Sequence, residues 1–205
     1  MSGIFITLEG PDGSGKSTIS RFLLDYLKKR KIDFIFTREP GGTPIGENIR
    51  KIILDKKNIN MSSRTEALLY AASRSQHISE KIKPALDDGK VVVCERFVLS
   101  SLAYQGYARG LGIEEVKDIN DFAIEGVIPD LTLFFNVDPV YALNRKTNRK
   151  GGDRLEKEGV NFHSKVYDGY KKLISLYPEK IKLIDASKSI EETFDQVRKE
   201  IEKIL

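Results

Sequence analysis

The chain has no tryptophan, one cysteine, two histidines and two methionines among its 205 residues. A single thiol excludes a disulfide framework within the chain and fits a reducing compartment. Cys94 lies in the apolar run Val91-Val92-Val93-Cys94 and reads as a small core residue. His77 and His163 are isolated in the sequence, so no zinc-ligand spacing is present. No stretch approaches the ~18 consecutive apolar residues of a membrane span. The chain opens on a β-prone run, so no signal peptide is read. A strong excess of one charge is missing too. The 34 basic and 30 acidic residues are interspersed and leave a net +4, with a pI of about 9.0. That balance suits small anions. Without a basic stripe carrying interleaved aromatics, it does not argue for nucleic acid. A soluble cytoplasmic protein with neither a membrane nor a nucleic-acid partner is expected.

Hydrophobic residues make up 40% of the chain, enough for one domain with a real core. Strand-like runs at 4–9, 33–37, 90–95, 131–137 and 180–184 alternate with helical patterns. The helical patterns fall at 16–30, 44–55, 63–82, 114–125, 139–147, 160–176 and 190–204. Such alternation predicts an α/β fold with a five-stranded parallel sheet and helices on both faces. Ser63-Arg64-Thr65-Glu66 and Ser189-Ile190-Glu191-Glu192 read as capping boxes. Pro84 predicts a kink or restart near the end of the third helix. Phe194, Val197, Ile201 and Ile204 form the apolar stripe of the last helix. No repeat or interdomain linker interrupts the pattern, so residues 1–205 are read as a single domain.

One motif turns this architecture towards chemistry. Gly10-Pro11-Asp12-Gly13-Ser14-Gly15-Lys16-Ser17-Thr18 fits G-x-x-x-x-G-K-[ST]. It lies between the strand-like Ile4–Leu8 and a helical face of Ile19, Phe22, Leu23, Tyr26 and Leu27. Strand, glycine loop and helix together make a phosphate-binding loop. Glycines let backbone N–H groups turn inward onto phosphate oxygens, and the helix N-terminus adds a favourable dipole. Gly10, Gly13, Ser14, Gly15, Lys16, Ser17 and Thr18 are the expected ATP-binding residues. Lys16 would reach the β- and γ-phosphates, and Ser17 would offer its hydroxyl to Mg²⁺.

A phosphate loop specifies nucleotide binding and leaves the reaction open. Ligands of open α/β sheets bind at the carboxyl edge, so the other strand ends matter. They carry Thr37-Arg38-Glu39-Pro40-Gly41-Gly42 and Glu95-Arg96-Phe97. Arg38 and Arg96, with Arg145, Arg149 and Arg154 of the basic segment 145–154, would form a cationic cage for a transferring phosphoryl group. Read by itself, that segment is either a solvated loop or a mobile lid. Glu95 is expected to help hold Mg²⁺, or else to pair with Arg96 or Lys16. Asp12 is a turn-former, or a group that orients the acceptor or accepts from a sugar hydroxyl. Tyr70 and Arg74, four residues apart on one helix face, can stack on and hydrogen-bond a base, or simply pack. Ser100-Ser101-Leu102-Ala103-Tyr104-Gln105-Gly106 brings hydroxyl and amide groups towards the same pocket.

Taken together, Thr37-Arg38-Glu39-Pro40-Gly41-Gly42, Tyr70-Ala71-Ala72-Ser73-Arg74, Glu95-Arg96-Phe97 with Ser100 to Gly106, and Pro129-Asp130-Leu131-Thr132 resemble the thymidylate kinase family. The resemblance runs from about residue 3 to about residue 200. It implies a P-loop nucleoside monophosphate kinase fold with a small lid at about 145–155. It also implies ATP-dependent, Mg²⁺-assisted phosphorylation of dTMP to dTDP in a homodimer. By resemblance, Arg96 grips the acceptor phosphate, with Arg38 and Glu39 close to the transferring group, and Asp12 contacts the 3′-hydroxyl side of the sugar. Tyr70 stacks on thymine while Arg74 and Ser101 hydrogen-bond its edge. Pro40, Arg50 and Gln105 line that pocket, and Tyr104 stands where a ribose 2′-hydroxyl would clash. Lys16, Asp12, Arg38, Arg96 and Arg149 are thus the expected catalytic set, with Ser17 and Glu95 at the metal.

Two positions vary within the resemblance. Some members carry an arginine directly after the loop carboxylate. Here that position is Gly13, which resembles the bacterial arrangement with a lid arginine. Arg149 is the first choice, with Lys150 and Arg145 as alternatives. The usual Asp-Arg-Tyr or Asp-Arg-His is Glu95-Arg96-Phe97 here, which leaves direct and water-mediated metal contact open. Competing functions are a uridylate or guanylate kinase, a nucleotide switch without turnover, and a nucleic-acid-dependent ATPase. The base-side residues argue against the first and the filled acceptor pattern against the second, while a one-domain chain with no basic stripe with interleaved aromatics argues against the third.

Overall fold

The computed structural model describes residues 3–138, 141–142, 153–155 and 158–205. Every predicted strand forms, each within a residue of its expected bounds: β1 (Ile4–Glu9), β2 (Phe34–Arg38), β3 (Val91–Glu95), β4 (Leu131–Asn136) and β5 (Ile181–Asp185). All adjacent pairs are parallel, in the order β2-β3-β1-β4-β5. The described helices are α1 (Lys16–Lys29), α2 (Pro44–Leu54), α3 (Ser63–His77), α4 (Lys83–Asp87), α5 (Val98–Ser101), α6 (Ile113–Ile124), α7 (Val160–Leu176) and α8 (Ile190–Ile201).

Strand alternation sorts the core into two layers. On one face Ile6, Leu8, Val93 and Leu133 meet Ile19, Leu23 and Leu27 of α1 and Val197 and Ile201 of α8. On the other, Phe5, Val92 and Cys94 meet Ile78, Ile82 and Phe97, while Phe134 meets Tyr104, Val166 and Tyr170. Burial on both faces is why these strands read as nearly continuous apolar runs. Cys94 is fully buried, as its context predicts.

The restart expected near Pro84 is present: the third helix passes through a π-helical turn at Ile78–Ile82 into α4, with Pro84 in the first turn of α4. The departures from expectation have local causes. The cap of the third helix is Ser62 rather than Ser63, because the Ser62 side chain accepts from the Thr65 N–H at 3.1 Å. Glu66 is therefore not the carboxylate of a capping box there. The box at Ser189 and Glu192 is formed as expected. The last helix stops at Ile201, with Ile204 packed beyond it. An unpredicted helical stretch follows β3: α5 leads directly into a π-helical segment, Leu102–Ala108. Its wider turn has no 3.6-residue period to read. Of the expected helix 139–147, only Tyr141 and Ala142 fall among the described residues.

The strand order also sets the place of a site. The chain leaves β1 towards β2 on one side and leaves β3 towards β4 on the other. The crevice of such a sheet opens at the carboxyl ends of these neighbouring strands. The register pairs Leu8 with Glu95 and Arg38 with Glu95, which brings the phosphate loop, Glu95-Arg96 and Arg38-Glu39 to one edge.

Candidate active site

The loop between β1 and α1 has the backbone that its glycines allow. Gly10, Gly13 and Gly15 have φ of 137°, 79° and 90°. A Cβ on Gly13 would stand 2.1 Å from the Ala142 carbonyl oxygen, so neither the conformation nor the space accepts a side chain there. Lys16 is buried and folds back over the loop, donating to the carbonyls of Gly10 and Pro11 at 2.9 and 2.8 Å and to Ser14 Oγ at 3.2 Å. Burial, with the nearby Arg96 charge added, lowers its pKa to about 7. Ser17 Oγ donates to Glu95 Oε2 at 3.2 Å and Ser20 Oγ to Glu95 Oε1 at 2.8 Å. Glu95 thus meets the start of α1 through two serine hydroxyls. A hydroxyl and a carboxylate side by side form an oxygen-only donor set that suits Mg²⁺.

Two cavities meet at this edge. The first runs from the loop along Gly13 to Ile19 to Ala186, Lys188, Ile190 and Thr193. The second includes Glu39, Tyr70, Arg74, Ser101, Tyr104 and Gln105 in its lining. Asp12, Arg38, Arg50, Glu95 and Arg96 line both. At this seam Arg96 Nη2 donates to Asp12 Oδ1 at 2.5 Å and to Tyr104 OH at 3.3 Å. Arg38 Nη1 and Arg50 Nη1 donate to the Pro40 carbonyl at 2.7 and 2.9 Å, and Arg38 pairs with Glu47 at 3.0 Å. Arg96 is held with φ of 65°, a sparsely populated conformation for a residue with a side chain.

The second cavity is braced by buried ionic networks. Arg74 Nε donates to Glu39 Oε2 at 2.7 Å, and its Nη1 donates to Ser101 Oγ at 3.0 Å and to Asn120 Oδ1. Glu39 Oε1 is 3.0 Å from His77 Nδ1, whose Nε2 is 2.7 Å from Thr37 Oγ1. Arg74 therefore presents its edge to the cavity with most of its guanidinium already committed. A second carboxylate, Glu66, receives Gln105 Nε2 at 2.9 Å, Arg154 Nη2 at 2.5 Å and Arg109 Nη2 at 3.2 Å. Burial alone would raise its carboxyl, but these donors outweigh burial and hold it below the usual range.

Arg154 departs from the expected cage. It is buried, and its Nε and backbone N–H donate to the carbonyls of Ile53 and Leu54 at 2.8 and 3.2 Å. The end of the supposed lid segment, Asp153 and Leu155, is wall of the second cavity. A guanidinium flanked by a buried carboxylate and a carbonyl is structural rather than free to reach phosphates. Arg145, Arg149 and Lys150 lie outside the described residues.

Comparison with known proteins matches this arrangement to one family. The family model described as thymidylate kinase matches residues 8–197. The chain is 59% identical over 193 residues to a thymidylate kinase of Finegoldia magna, covering 94% of this chain and 95% of that one. It is 53% identical over 198 residues to one from Clostridium novyi, covering 96% and 97%. It is 48% identical over 207 residues to one from Bacillus pumilus, covering 100% and 98%.

The chain belongs to the thymidylate kinase family.

Among the described residues, the sequence-predicted set converges. Asp12, Lys16, Ser17, Arg38, Glu39, Pro40, Arg50, Tyr70, Arg74, Glu95, Arg96, Ser101, Tyr104 and Gln105 all line one cavity or both. Several residues that hold this family site together were not singled out from sequence. Glu66 had a signal: it stands four residues before Tyr70 and eight before Arg74, on the same helix face. Asn120, Arg109 and Tyr170 had none, because their partners lie between 43 and 74 residues away in the chain. Lys188, which lines the first cavity, had none either.

Proposed function

We propose that this thymidylate kinase family member transfers the γ-phosphoryl group of ATP to the 5′-phosphate of dTMP, giving dTDP and ADP. The supporting observation is the shared wall. Asp12, Arg38, Arg50, Glu95 and Arg96 face both the phosphate-loop cavity and the second cavity. A donor phosphate in one and an acceptor phosphate in the other would meet there without a covalent enzyme intermediate. Catalysis is then positioning plus charge stabilisation. Arg96 holds the acceptor phosphate, Asp12 orients the acceptor and Lys16 holds the donor phosphates. Ser17 and Glu95 would hold Mg²⁺, which when bound supplies charge neutralisation on the donor phosphates. Tyr70 stacks on the base, Arg74 and Ser101 bond its edge, and Tyr104 disfavours a 2′-hydroxyl. Arg74 offers only N–H donors, so an exocyclic amine at that edge would set donor against donor.

The test is ADP release with ATP and Mg²⁺ across dTMP, dUMP, dCMP, dGMP, UMP and no acceptor. Turnover should be strongest with dTMP. With dUMP it should be about 10–200-fold less efficient, the worth of one methyl group in an apolar pocket. Cytosine and guanine nucleotides should be poorer still. Equal ADP release in every reaction would favour the nucleotide-switch reading. For the lid we propose Arg149 as the phosphate-reaching group. Arg149→Ala should lower kcat more than it raises KM for dTMP, and a pure KM effect would refute that role. A cytoplasmic homodimer is the assembly we expect, and the exposed Leu68 of α3 and Phe122 of α6 offer apolar surface for it.

A further inference from the structure

Glu9 has no part in the reaction just described, yet it lies fully buried beside the seam. Its place follows from alternation along β1: Phe5, Thr7 and Glu9 share one face, and Glu9 meets Ser100 of α5 and Tyr170 of α7 there. A carboxylate there loses its hydration, so its partners must account for it. Oε1 accepts from the N–H groups of Phe97 and Ser100 at 2.7 and 3.2 Å. Oε2 accepts from the hydroxyls of Ser100 and Tyr170 at 2.6 and 3.4 Å. None of these donors belongs to the phosphate loop. All of them surround Arg96. The same two hydroxyls accept from Arg96 Nη1 at 3.0 and 3.3 Å. Phe97, the first cap residue of α5, makes no side-chain cap of its own. Glu9 takes that role by accepting the N–H three residues into the helix, as a cap side chain would.

We propose that Glu9 is a positioning residue for Arg96. Its carboxylate clamps the backbone just after Arg96 and, through the hydroxyls of Ser100 and Tyr170, the guanidinium itself. The inference rests on the reading of Arg96 as the ligand of the acceptor phosphate. Burial raises the Glu9 carboxyl, and Ser100, the Arg96 charge and the two backbone N–H groups oppose that rise; in its ionised form the group only accepts. Ser100 therefore turns its hydrogen to Glu9 and accepts from Arg96, with the Tyr170 hydroxyl 2.9 Å away. Glu9→Gln preserves the shape and reverses this polarity. The amide oxygen must face the two backbone N–H groups, so the NH₂ group faces the hydroxyls. Their hydrogens are then driven towards a guanidinium that has only donors.

The experiment compares dTMP kinetics, ATP kinetics and inhibition by thymidine, which lacks the phosphate. Glu9→Gln should lower kcat/KM for dTMP by about 10²-fold, the scale of a ligand group displaced by ~1 Å. The KM for ATP and the inhibition constant of thymidine should not change. In an Arg96→Ala background, Glu9→Gln should cost almost nothing more. An equal weakening of ATP, thymidine and dTMP would mean a general disturbance of β1 and would overturn the proposal, as would full multiplication of the two losses. Should Glu9→Gln fail to fold, Tyr170→Phe decides. It keeps the ring packed on Phe134 and removes one relaying hydroxyl, with an expected loss of about tenfold confined to dTMP. Unchanged dTMP kinetics in Tyr170→Phe would refute the relay. Normal dTMP use by Arg96→Ala alone would overturn the reading of Arg96 and the clamp with it. A crippled Arg96→Ala beside a normal Glu9→Gln would overturn the clamp alone.

Discussion

The two halves of the site are built differently. The donor half begins as a continuous stretch of chain from Gly10 to Thr18, whose glycines expose backbone N–H groups at the start of α1. The half we assign to the acceptor is assembled from side chains of α2, α3, α5, the π-helical segment and the strand ends, with Asp153 and Leu155. Its bracing pairs are distant in the chain. Glu39 and Arg74 are 35 residues apart, and Glu66 and Arg154 are 88 apart. A backbone cradle can recognise any polyphosphate. A pocket of cross-braced side chains can distinguish bases, because misplacing one group leaves its partners unsatisfied.

That contrast can be tested at each half. Lys16→Ala should give the largest catalytic effect, about 10²–10³-fold in kcat/KM, the cost of removing a fixed charge-stabilising group. The fold should persist, because the loop's shape comes from its glycines. Near-normal turnover would break the donor assignment. Glu66→Ala strikes the acceptor half. It leaves the buried Arg154 without its carboxylate, and removing one partner of a buried pair costs about 3–5 kcal/mol. Denaturant melts should register that loss, and KM should rise for dTMP more than for ATP. An equal rise for both would show that the two halves are not mechanically separate.

The smallest effect sharpens the comparison electrostatically. Lys16, lowered to about 7 by burial and by Arg96, is increasingly neutral above that pH, whereas phosphates favour its cationic form. Binding of ATP should therefore take up as much as one proton. Its affinity should fall by no more than about tenfold per pH unit above 7, with no contribution from this group well below 7. Titration calorimetry at pH 8 in buffers of differing ionisation enthalpy reads the proton directly. Buffer-independent heats would show that Lys16 is already charged.

How much could be read in advance follows the same division. The phosphate loop was legible because spacing, flanking strand and flanking helix are all local. Tyr70 and Arg74 were legible as a pair because the helical repeat puts them on one face. Ser62 displaced Ser63 as cap, because neighbouring serines offer the same chemistry and only backbone geometry chooses between them. Arg154 looked like part of a basic lid, since a run of charges carries no sign of which member is buried. The stretch 98–108 carried no helical signal because a π-helical turn lacks the usual period.

By itself the sequence determined five strands in a parallel α/β order, the phosphate-loop motif with Lys16 and Ser17, and many of the residues that line the second cavity. Strand propensity, glycine backbone freedom and helical periodicity act over a few residues, so each leaves its mark within a short window. Only the tertiary structure decided that Glu66 braces Arg154, that Glu39 braces Arg74, and that Glu9 lies under Arg96. Those choices depend on which charged groups lose water together, and burial is a property of the packed chain rather than of any segment of it.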